Sequence, residues 1–317
     1  MSFTVSSLTA YSEKATQILT SKLLFSNKID LFSLEDNIQG SKYINTVSAT
    51  LLRQAGTCGT AQSGSTTFGQ VTLSVFPISY KLQNCFEDLY AKGLTIERQA
   101  IAKGADVMVE DALTNEYVKQ IEKDIWQQLW IGDDAGSNYQ FDGWFTQANA
   151  AADRDKVALS NSATTFGNYS ASTMNTAIQN MCTQAVNNTA LWAAASEGPL
   201  YLFVSQEVFN LYRQYLVSAN LYRFGPSEVG VKELDIPGYE GLIKIMEIPE
   251  LHTAASAAPK MLLTYPKNLF IGTSLVDNVT SPKAEYVVDV VNDWVYFKSS
   301  LRLGAVIGVT SHVVTLY

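Results

Sequence analysis

The chain has 317 residues and a formal net charge of −8; hydrophobic residues make up 47% of it and charged residues only 16%. This length allows one large domain or two moderate ones, with ample apolar material for a core. The net negative charge argues against direct binding of nucleic acid, which needs clustered Lys and Arg. The low charge indicates either extensive burial against partner molecules or a surface rich in Ser, Thr and Asn.

The cysteines and the apolar segments restrict the cellular context. Cys58, Cys85 and Cys182 are far apart and contain no CxxC pair, so no disulfide framework is predicted and a reducing compartment is favoured. The first residues lack the basic and apolar regions of a signal peptide. No apolar run approaches the ~18 residues of a membrane helix, so no membrane association is expected.

The first part of the chain predicts an arm, a loop and a strand. Residues 1 to about 50 form the arm, and apolar residues recur at helical spacing in its first half. Residues 56–67 are mostly small and lack periodicity, which predicts a mobile loop. Residues 70–76 alternate apolar and polar side chains, as a half-buried strand does, and residues 77–82 continue it after a break.

The strongest pattern is a long amphipathic helix over residues 106–130, which would span about 37 Å. Its apolar stripe consists of Leu113, Tyr117, Ile121, Ile125 and Leu129, widened by Val118 and Trp126. Asp106 is expected to cap its first turn, and Gly132 is the natural residue to end it. An acidic turn, Asp133-Asp134, and an aromatic-glycine-aromatic segment at residues 141–145 follow.

The second half of the chain mixes helices and strands. A helix is predicted over residues 172–194, with the stripe Met174, Ile178, Met181, Ala185 and Val186. Residues 199–204 form an apolar run typical of a buried central strand, and Ser205 then caps a helix over 206–215. Further strands are predicted at 241–248, 260–264, 268–272, 284–291, 294–298, 301–310 and 313–317, with Asn292-Asp293 as a hairpin turn.

No pattern in the sequence assigns a chemical site. His252 and His312 are far apart, and neither lies in a catalytic or nucleotide-binding motif. Asp133 and Asp134, with Asp142 nearby, could hold a divalent cation, but a polar turn is favoured because further oxygen ligands are lacking. The aromatic residues Tyr212, Tyr215, Tyr222 and Phe224 are interpreted as core or interface packing, since only Arg213 and Arg223 accompany them. No catalytic, cofactor-binding or metal-ligating residue is therefore assigned, and no cofactor is expected.

The order of these elements carries a resemblance. A polar loop leads into residues 68–82, and the long helix ends in Leu-Trp-Ile-Gly-Asp-Asp-Ala-Gly at 129–136, with Phe-Asp-Gly-Trp at 141–144. Residues 199–209, residues 263–272 and a terminal hairpin follow. This arrangement resembles the major capsid proteins of tailed bacteriophages, whose α+β Hong-Kong-97-type fold is shared with encapsulin shells. The family's commoner turn is Gly-Asp-Gly, and here Asp134 replaces the second glycine.

The resemblance implies an architecture for the whole chain. Residues 1–52 correspond to the N-terminal arm and 53–82 to the extended E-loop, which in the family lies over a neighbouring subunit. The implied peripheral domain is 83–198, with its spine helix at 106–130, and the implied axial domain is 199–280. Residues 281–317 correspond to the returning β-hairpin and C-terminal strands, and the stripe of the spine helix is expected to pack on this hairpin.

The resemblance also implies a function without catalysis. The chain would be a coat protein that self-assembles as hexamers and pentamers into an icosahedral shell around double-stranded DNA, which it would not bind sequence-specifically. Its implied partners are many copies of itself, a separate scaffolding protein, a portal and decoration proteins. The implied location is the virion capsid, assembled in the host cytoplasm. An encapsulin-type compartment and a soluble α/β enzyme with an unrecognised site are the alternatives.

Overall fold

A computed structural model describes residues 31–51, 64–85, 109–135, 140–157, 166–194, 198–221, 233–251, 258–274, 285–289 and 294–316. The predicted helix in residues 1–23, the cap Asp106 and the turn Asn292-Asp293 lie outside them. So do His252, Tyr222, Phe224 and most of the predicted loop at 56–67. Among the described residues, no helix has the length and apolar character needed to cross a membrane.

The described residues form a mixed α+β fold. Its helices are α1 (Val109–Ile131), α2 (Trp144–Ala150), α3 (Ala171–Asn187), α4 (Thr189–Ala194) and α5 (Gln206–Ser218). Its strands are β1 (Ser33–Glu35), β2 (Ser41–Leu51), β3 (Gly64–Ser74), β4 (Phe76–Cys85), β5 (Asp155–Val157), β6 (Leu200–Val204), β7 (Glu233–Asp235), β8 (Ile243–Glu247), β9 (Met261–Thr264), β10 (Leu269–Thr273), β11 (Glu285–Asp289), β12 (Trp294–Ile307) and β13 (Val314–Leu316). Short 3-10 turns lie at Phe166–Asn168, Pro249–Leu251, Pro266–Asn268 and Thr310–His312.

The chain falls into two compact units. The first unit draws on Met1–Gln39, Val75–Thr146 and Ile271–Gly304. The second draws on Gly40–Ser74, Gln147–Phe270 and Ala305–Tyr317. Each unit is built around its own β-sheet, so the alternative of two moderate domains describes the chain better than a single domain does.

The first unit contains a five-stranded sheet with the order β1-β10-β12-β11, in which β4 also pairs with β12. The β4–β12 ladder is antiparallel and runs from Cys85↔Trp294 to Phe76↔Leu303. The sequence predicted separate strands at 294–298 and 301–310, and that division is wrong. Lys298, Ser299 and Ser300 stay in the ladder because β4 supplies their backbone partners, so the polar character of these three residues does not end the strand.

Helix α1 confirms the long helix, which ends one residue later than predicted. Its 23 residues span about 35 Å. Ile121, Ile125 and Leu129 are buried, as the stripe requires, and Trp126 is buried beside them. Tyr80 of β4 donates a hydrogen bond of 2.7 Å to Asp124 Oδ2. This bond holds the helix against a strand that pairs with the returning strand β12.

The second unit has a six-stranded sheet with the order β5-β13-β9-β6-β8-β7. Strand β6 is buried at every residue, as the apolar run predicted. Ser205 caps α5 by accepting a hydrogen bond from the Val208 amide, which confirms that cap. The core between this sheet and the helices includes Met174, Phe209 and Ile245.

The predicted helix over residues 172–194 is in fact two helices, α3 and α4, with a break at Asn188. Asn188 has non-helical torsions (φ −78°, ψ 96°), and its side chain accepts a hydrogen bond of 2.9 Å from the Leu191 amide. It therefore starts α4 as an N-cap, which costs less than continuing the helix through an asparagine. Val186 was predicted in the apolar stripe but is 37% exposed. It lies about 100° around the helix from Ala185 and so leaves the buried face.

Two predicted boundaries also shift. The sequence predicted a domain boundary after residue 198, whereas α3 and α4 share the core of β6 and α5, and the second unit includes residues from Gln147 onward. The sequence assigned residues 41–51 to the arm, but they form β2, which pairs with β3 along its whole length.

Candidate functional site

The β2–β3 hairpin is the first candidate for an interaction surface. Its antiparallel register runs from Ser41↔Ser74 to Leu51↔Gly64. Eleven residues per strand correspond to about 37 Å. The hairpin is a sheet of two strands only, so each of them has a free edge in the described part of the chain. Two-stranded ribbons are marginally stable alone, and free edges favour pairing with other molecules.

One face of this hairpin carries exposed aromatic and polar side chains. Tyr43, Asn45, Phe68 and Gln70 lie on one face, because side chains two residues apart and directly paired residues share a face. All four are exposed, including 62% of Tyr43 and 77% of Phe68. A hydrogen bond of 3.1 Å joins Gln70 Nε2 to Asn45 Oδ1. We call this set the open face of the hairpin; it combines exposed aromatic rings with uncharged polar groups, as protein interfaces do.

The second candidate is the segment that follows α1, where two glycines meet. Gly143 N donates a hydrogen bond of 2.9 Å to Gly132 O, and Gly132 N donates one of 3.0 Å to Gln128 O. A Cβ on Gly132 would lie 2.6 Å from Phe141 O, and a Cβ on Gly143 would lie 2.6 Å from the carbonyl carbon of Trp130. Close approach of backbone therefore selects glycine at both positions. We call this pair the glycine junction.

Glycine is required at position 132 for a different reason from the one predicted from the sequence. The sequence suggested a helix-ending glycine, whose usual advantage is a left-handed backbone. Among the described residues, left-handed torsions occur at Asn37, Asn220, Gly238 and Gly241, and not at Gly132. Gly132 does follow the last residue of α1, but lack of space rather than φ excludes other residues there.

Aromatic rings surround the glycine junction. Trp130 and Trp144 are fully buried and meet edge-to-face at 5.0 Å. Phe32 lies 5.0 Å from Trp144 and 6.0 Å from both Trp130 and Trp126, measured between ring centroids. We call these four residues the aromatic cluster. The predicted aromatic-glycine-aromatic segment thus packs on the end of α1, whereas no sequence pattern indicated that Phe32 packs there as well.

The three aspartates of this region form a turn. Asp142 Oδ1 accepts a hydrogen bond of 2.9 Å from the Asp134 amide, and Asp133 Oδ1 accepts one of 3.1 Å from the Ala135 amide. Carboxylate oxygens of all three lie within 4.8 Å of one another, with Asp133 and Asp134 exposed. The bonds are those of a polar turn, the interpretation favoured from the sequence.

Among the residues that the structure describes, the other candidate chemical groups are buried or partly buried. Cys182 is fully buried, and burial raises the pKa of its thiol to about 12, which suppresses the reactive thiolate. Burial lowers the pKa of His312, which packs against the ring of Tyr265. Tyr212 is buried and Tyr215 packs on the same core, in agreement with the packing interpretation of these aromatic residues.

Two polar residues that join segments of the second unit by hydrogen bonds were not predicted from the sequence. Asn188 donates from Nδ2 to Asp155 Oδ2 at 2.6 Å and to Ser311 O at 2.8 Å. Arg154 is buried, and its guanidinium donates to the carbonyl oxygens of Ala148, Asn149 and Ala151 at the end of α2. An Asn after a helix and before Thr-Ala-Leu was a detectable N-cap signal. Nothing local marked Arg154.

Solved structures identify this combination of long helix, hairpin and two units as the Hong-Kong-97-type capsid fold. The capsid of a native GTA particle has a TM-score of 0.59 at 12% identity, and the match covers 90% of this chain and 88% of that one. The satellite phage P4 procapsid has a TM-score of 0.55 at 13% identity, covering 95% and 98%. A virus-like particle from Pyrococcus furiosus has a TM-score of 0.51 at 12% identity, covering 97% and 99%.

The comparisons support the fold and not a family assignment by sequence. No family model matches the chain, and no curated protein matches it. At these identities, only three-dimensional arrangement is shared. The predicted α+β capsid fold is therefore confirmed.

Proposed function

We propose that this chain is the major capsid protein of a tailed bacteriophage. It would self-assemble as hexamers and pentamers into an icosahedral shell that encloses double-stranded DNA. The observation that carries the proposal is the exposed open face of the β2–β3 hairpin on a capsid fold. A ribbon of about 37 Å with exposed Tyr43 and Phe68 gains stability when another molecule covers it.

Assembly through such appendages fits the composition of the chain. Each copy can bury its open face on a neighbour, so the shell gains cohesion from many modest interfaces. A charged fraction of 16% leaves uncharged surface suited to mutual coverage. The net charge of −8 suits a lining that does not hold packaged DNA tightly.

The two units suggest an assignment of family domains. The unit with α1 and the β4–β12 ladder corresponds to the peripheral domain, with α1 as the spine helix. The sheet of β6 with α3 and α5 corresponds to the axial domain, which in the family surrounds the symmetry axes. The β2–β3 hairpin corresponds to the E-loop. This assignment moves residues 147–198 from the peripheral to the axial domain.

The proposed partners follow from the same function. Copies of the chain are the main partner, and a scaffolding protein, a portal and decoration proteins complete the particle. The P4 procapsid includes a size determination protein, Sid, which supports a separate assembly factor here. The proposed location is the virion capsid after assembly in the host cytoplasm, without a membrane partner.

An encapsulin-type compartment is the second candidate, favoured by the likeness to a virus-like particle. Its TM-score of 0.51 is below the 0.59 and 0.55 of the GTA and P4 capsids, so the phage shell is preferred. Terminase and portal genes beside this gene would support the phage; a cargo enzyme gene would support the compartment. An enzymatic role is not proposed, because the structural neighbours are shells.

The double substitution Tyr43→Ser, Phe68→Ser tests the proposal. We expect the wild-type chain, expressed with its scaffold gene, to form closed shells in negative-stain electron microscopy. The double variant should remain folded, because both side chains are exposed, but should stay as unassembled subunits or capsomers. Thr72→Ala, an exposed position on the same face, is the matched control and should assemble. Normal shells from the double variant would contradict the role of the open face.

A further inference from the structure

The outer strands of the two larger sheets have features that oppose pairing with other molecules. A strand at a sheet edge offers backbone N–H and C=O groups to a further strand, and short length, charged side chains or proline limit such pairing. Strands β1, β5 and β7 have three residues each, and β11 has five. All four carry charged residues, namely Glu35, Asp155, Lys156, Glu233, Asp235, Glu285 and Asp289. The ten-residue strand β4, which joins its sheet through β12, contains Pro77 and Lys81.

Strand β3 has none of these features. It is eleven residues long and contains no charged residue and no proline. It pairs with β2 without a bulge, because the register advances one residue at a time from Ser41↔Ser74 to Leu51↔Gly64. Strand β2 has the same length but carries Lys42. Within the described residues β2 is the one strand partner of β3, so the outer edge of β3 favours the addition of another strand.

We propose that the outer edge of β3 pairs, in antiparallel orientation, with β3 of a second copy of this chain, so that two hairpins form one four-stranded sheet. This inference rests on the proposed shell function, which brings many copies of the chain together. Each copy has a net charge of −8, and like charges that meet at an interface are costly. The edge of β3 carries no charge, so two copies can approach there without that cost. An antiparallel pair of identical strands also has the twofold symmetry that is common in homo-oligomers.

The twofold pairing determines how the two hairpins are oriented. Residues that lie equally far before and after the symmetry axis are opposite each other, and directly paired residues share a face of the sheet. Phe68, Gln70 and Thr72 of both copies therefore lie on the same side. The two open faces then form one continuous surface, with two copies each of Tyr43 and Phe68. A four-stranded sheet also avoids the marginal stability of a two-stranded ribbon.

A scan of single cysteines tests the pairing directly. In the full chain, one cysteine at a time replaces residues 64–74, and mild oxidation is applied to assembled particles and to the concentrated isolated subunit. The Cα atoms of directly opposed residues in an antiparallel pair are about 4.5–5.5 Å apart, which fits a disulfide. We expect covalent dimers at one position of β3, on the order of 10-fold above the other positions, because only the residue at the twofold axis faces its own copy.

Two controls accompany the scan. The wild type, which has three native cysteines, gives the background of dimers. Asn45→Cys places the new thiol on β2, in the same row of the hairpin as Gln70. The β2 strands of the two copies would be separated by three strand spacings, about 14 Å, so this variant should not exceed the background.

A lysine on either strand of the hairpin gives a second test. Gln70→Lys places a charge on β3, and Asn45→Lys places the same charge on the residue paired with it in β2. Both residues are exposed on the open face, and each substitution removes the same hydrogen bond. With the scaffold present, Gln70→Lys should lower the yield of closed shells on the order of 10-fold more than Asn45→Lys, because it brings two lysines to the paired edges.

Several outcomes would overturn the pairing of β3 with a second copy. One is a scan in which no position of β3 forms dimers above the wild type. Another is a disulfide to a different protein of the particle. Equal effects of the two lysines would show that the charge acts through the open face and not through the β3 edge. If the wild type forms no shells, the proposed function fails, while oxidation of the isolated subunit still decides whether β3 pairs. Shells without dimers through β3 would leave the proposed function standing and exclude the edge pairing.

Discussion

The glycine junction and the β2–β3 hairpin differ in how closely other atoms of the chain approach them. At the junction, two backbone segments approach so closely that a single Cβ on Gly132 or Gly143 would collide with backbone atoms. At the hairpin, Tyr43 and Phe68 are mostly exposed and have free space around them. The junction is determined by atoms within one subunit. The open face contains apolar surface that the described residues of the subunit do not cover.

This difference separates two kinds of sequence constraint. Residues at the junction are restricted by folding, so substitutions there should change the free energy of unfolding. Residues on the open face should change assembly while leaving that free energy nearly unaltered. Measurements on the isolated subunit therefore test the first kind, and particle yield tests the second. The substitutions below test this contrast, in order of decreasing effect on stability.

Gly143→Ala should have the largest effect. The new Cβ would lie within 2.7 Å of Gln128 O and Gly132 N and 2.6 Å from the Trp130 carbonyl carbon, all of them backbone atoms that cannot rotate away. We expect a loss of about 3 kcal/mol or more, or insoluble protein, since overpacking of rigid sites is costly. Urea denaturation of the purified subunit measures the loss.

Gly198→Ala is the control for that substitution. No atom lies within 4 Å of a Cβ built at Gly198, and its φ is not left-handed. The stability should change by about 0.5 kcal/mol or less. Equal effects at Gly143 and Gly198 would show that close approach at the glycine junction does not determine stability.

Tyr80→Phe should have an intermediate effect. The Tyr80 hydroxyl donates to Asp124 Oδ2 at 2.7 Å in a partly buried setting, so its removal leaves the carboxylate without this donor. We expect a loss of about 1–2 kcal/mol in the free energy of unfolding at neutral pH. Tyr43→Phe, which removes an exposed hydroxyl, is the matched control and should be neutral.

The pH dependence of Tyr80 gives a separate test. Burial raises the pKa of Tyr80, and the hydrogen bond to Asp124 and the charge of that carboxylate raise it further. In the unfolded chain this phenol ionises near pH 10, whereas in the folded chain it stays neutral there. The unfolded state therefore loses a proton first, and stability falls as pH rises above about 10. Between pH 8 and pH 10.5, the free energy of unfolding should fall less for Tyr80→Phe than for the wild type. Equal falls in the two proteins would show that ionisation of Tyr80 is not the cause.

Asn45→Ala should have the smallest effect on stability. Its side chain accepts one exposed hydrogen bond, from Gln70 on the other strand. Exposed bonds exchange readily with water, so the loss should be about 0.5 kcal/mol or less. The shell yield should fall more than this change implies, because the amide belongs to the open face. A large loss of subunit stability would show that the hairpin is held from within the subunit.

Local signals in the sequence predicted much of the fold. The period of α1, the apolar run of β6 and the cap at Ser205 depend on neighbouring residues only, and each was confirmed. The strand predicted over residues 70–76 is only partly confirmed: Leu73 and Val75 are buried as the alternation requires, but the chain divides there into β3 and β4, which lie in different sheets. For the hairpin, only the second strand was detected from the sequence.

What could not be predicted depends on distant partners. Strand β2 has little alternation of polar and apolar residues, and the side chains at 41–46 are exposed or half-buried, so it resembled an arm. The continuity of β12 through Ser299 and Ser300 depends on β4. Likewise, Phe32 joins the aromatic cluster through tertiary contact alone. The hydrogen bonds at Asp133, Asp134 and Asp142 are local, as in a polar turn, and that this turn holds no cation stays a prediction.

The β4–β12 ladder has a consequence for the order of folding. Its paired residues are separated by more than 200 positions, from Cys85↔Trp294 to Phe76↔Leu303. Contacts of such long range form slowly, since a large loop must close first. During synthesis, β4 therefore leaves the ribosome long before its partner exists, and its edge stays open to wrong pairing. The ladder that supports α1 closes only after Leu303 has been made, so the proposed assembly into a shell would have to wait until nearly the whole of this sequence is available.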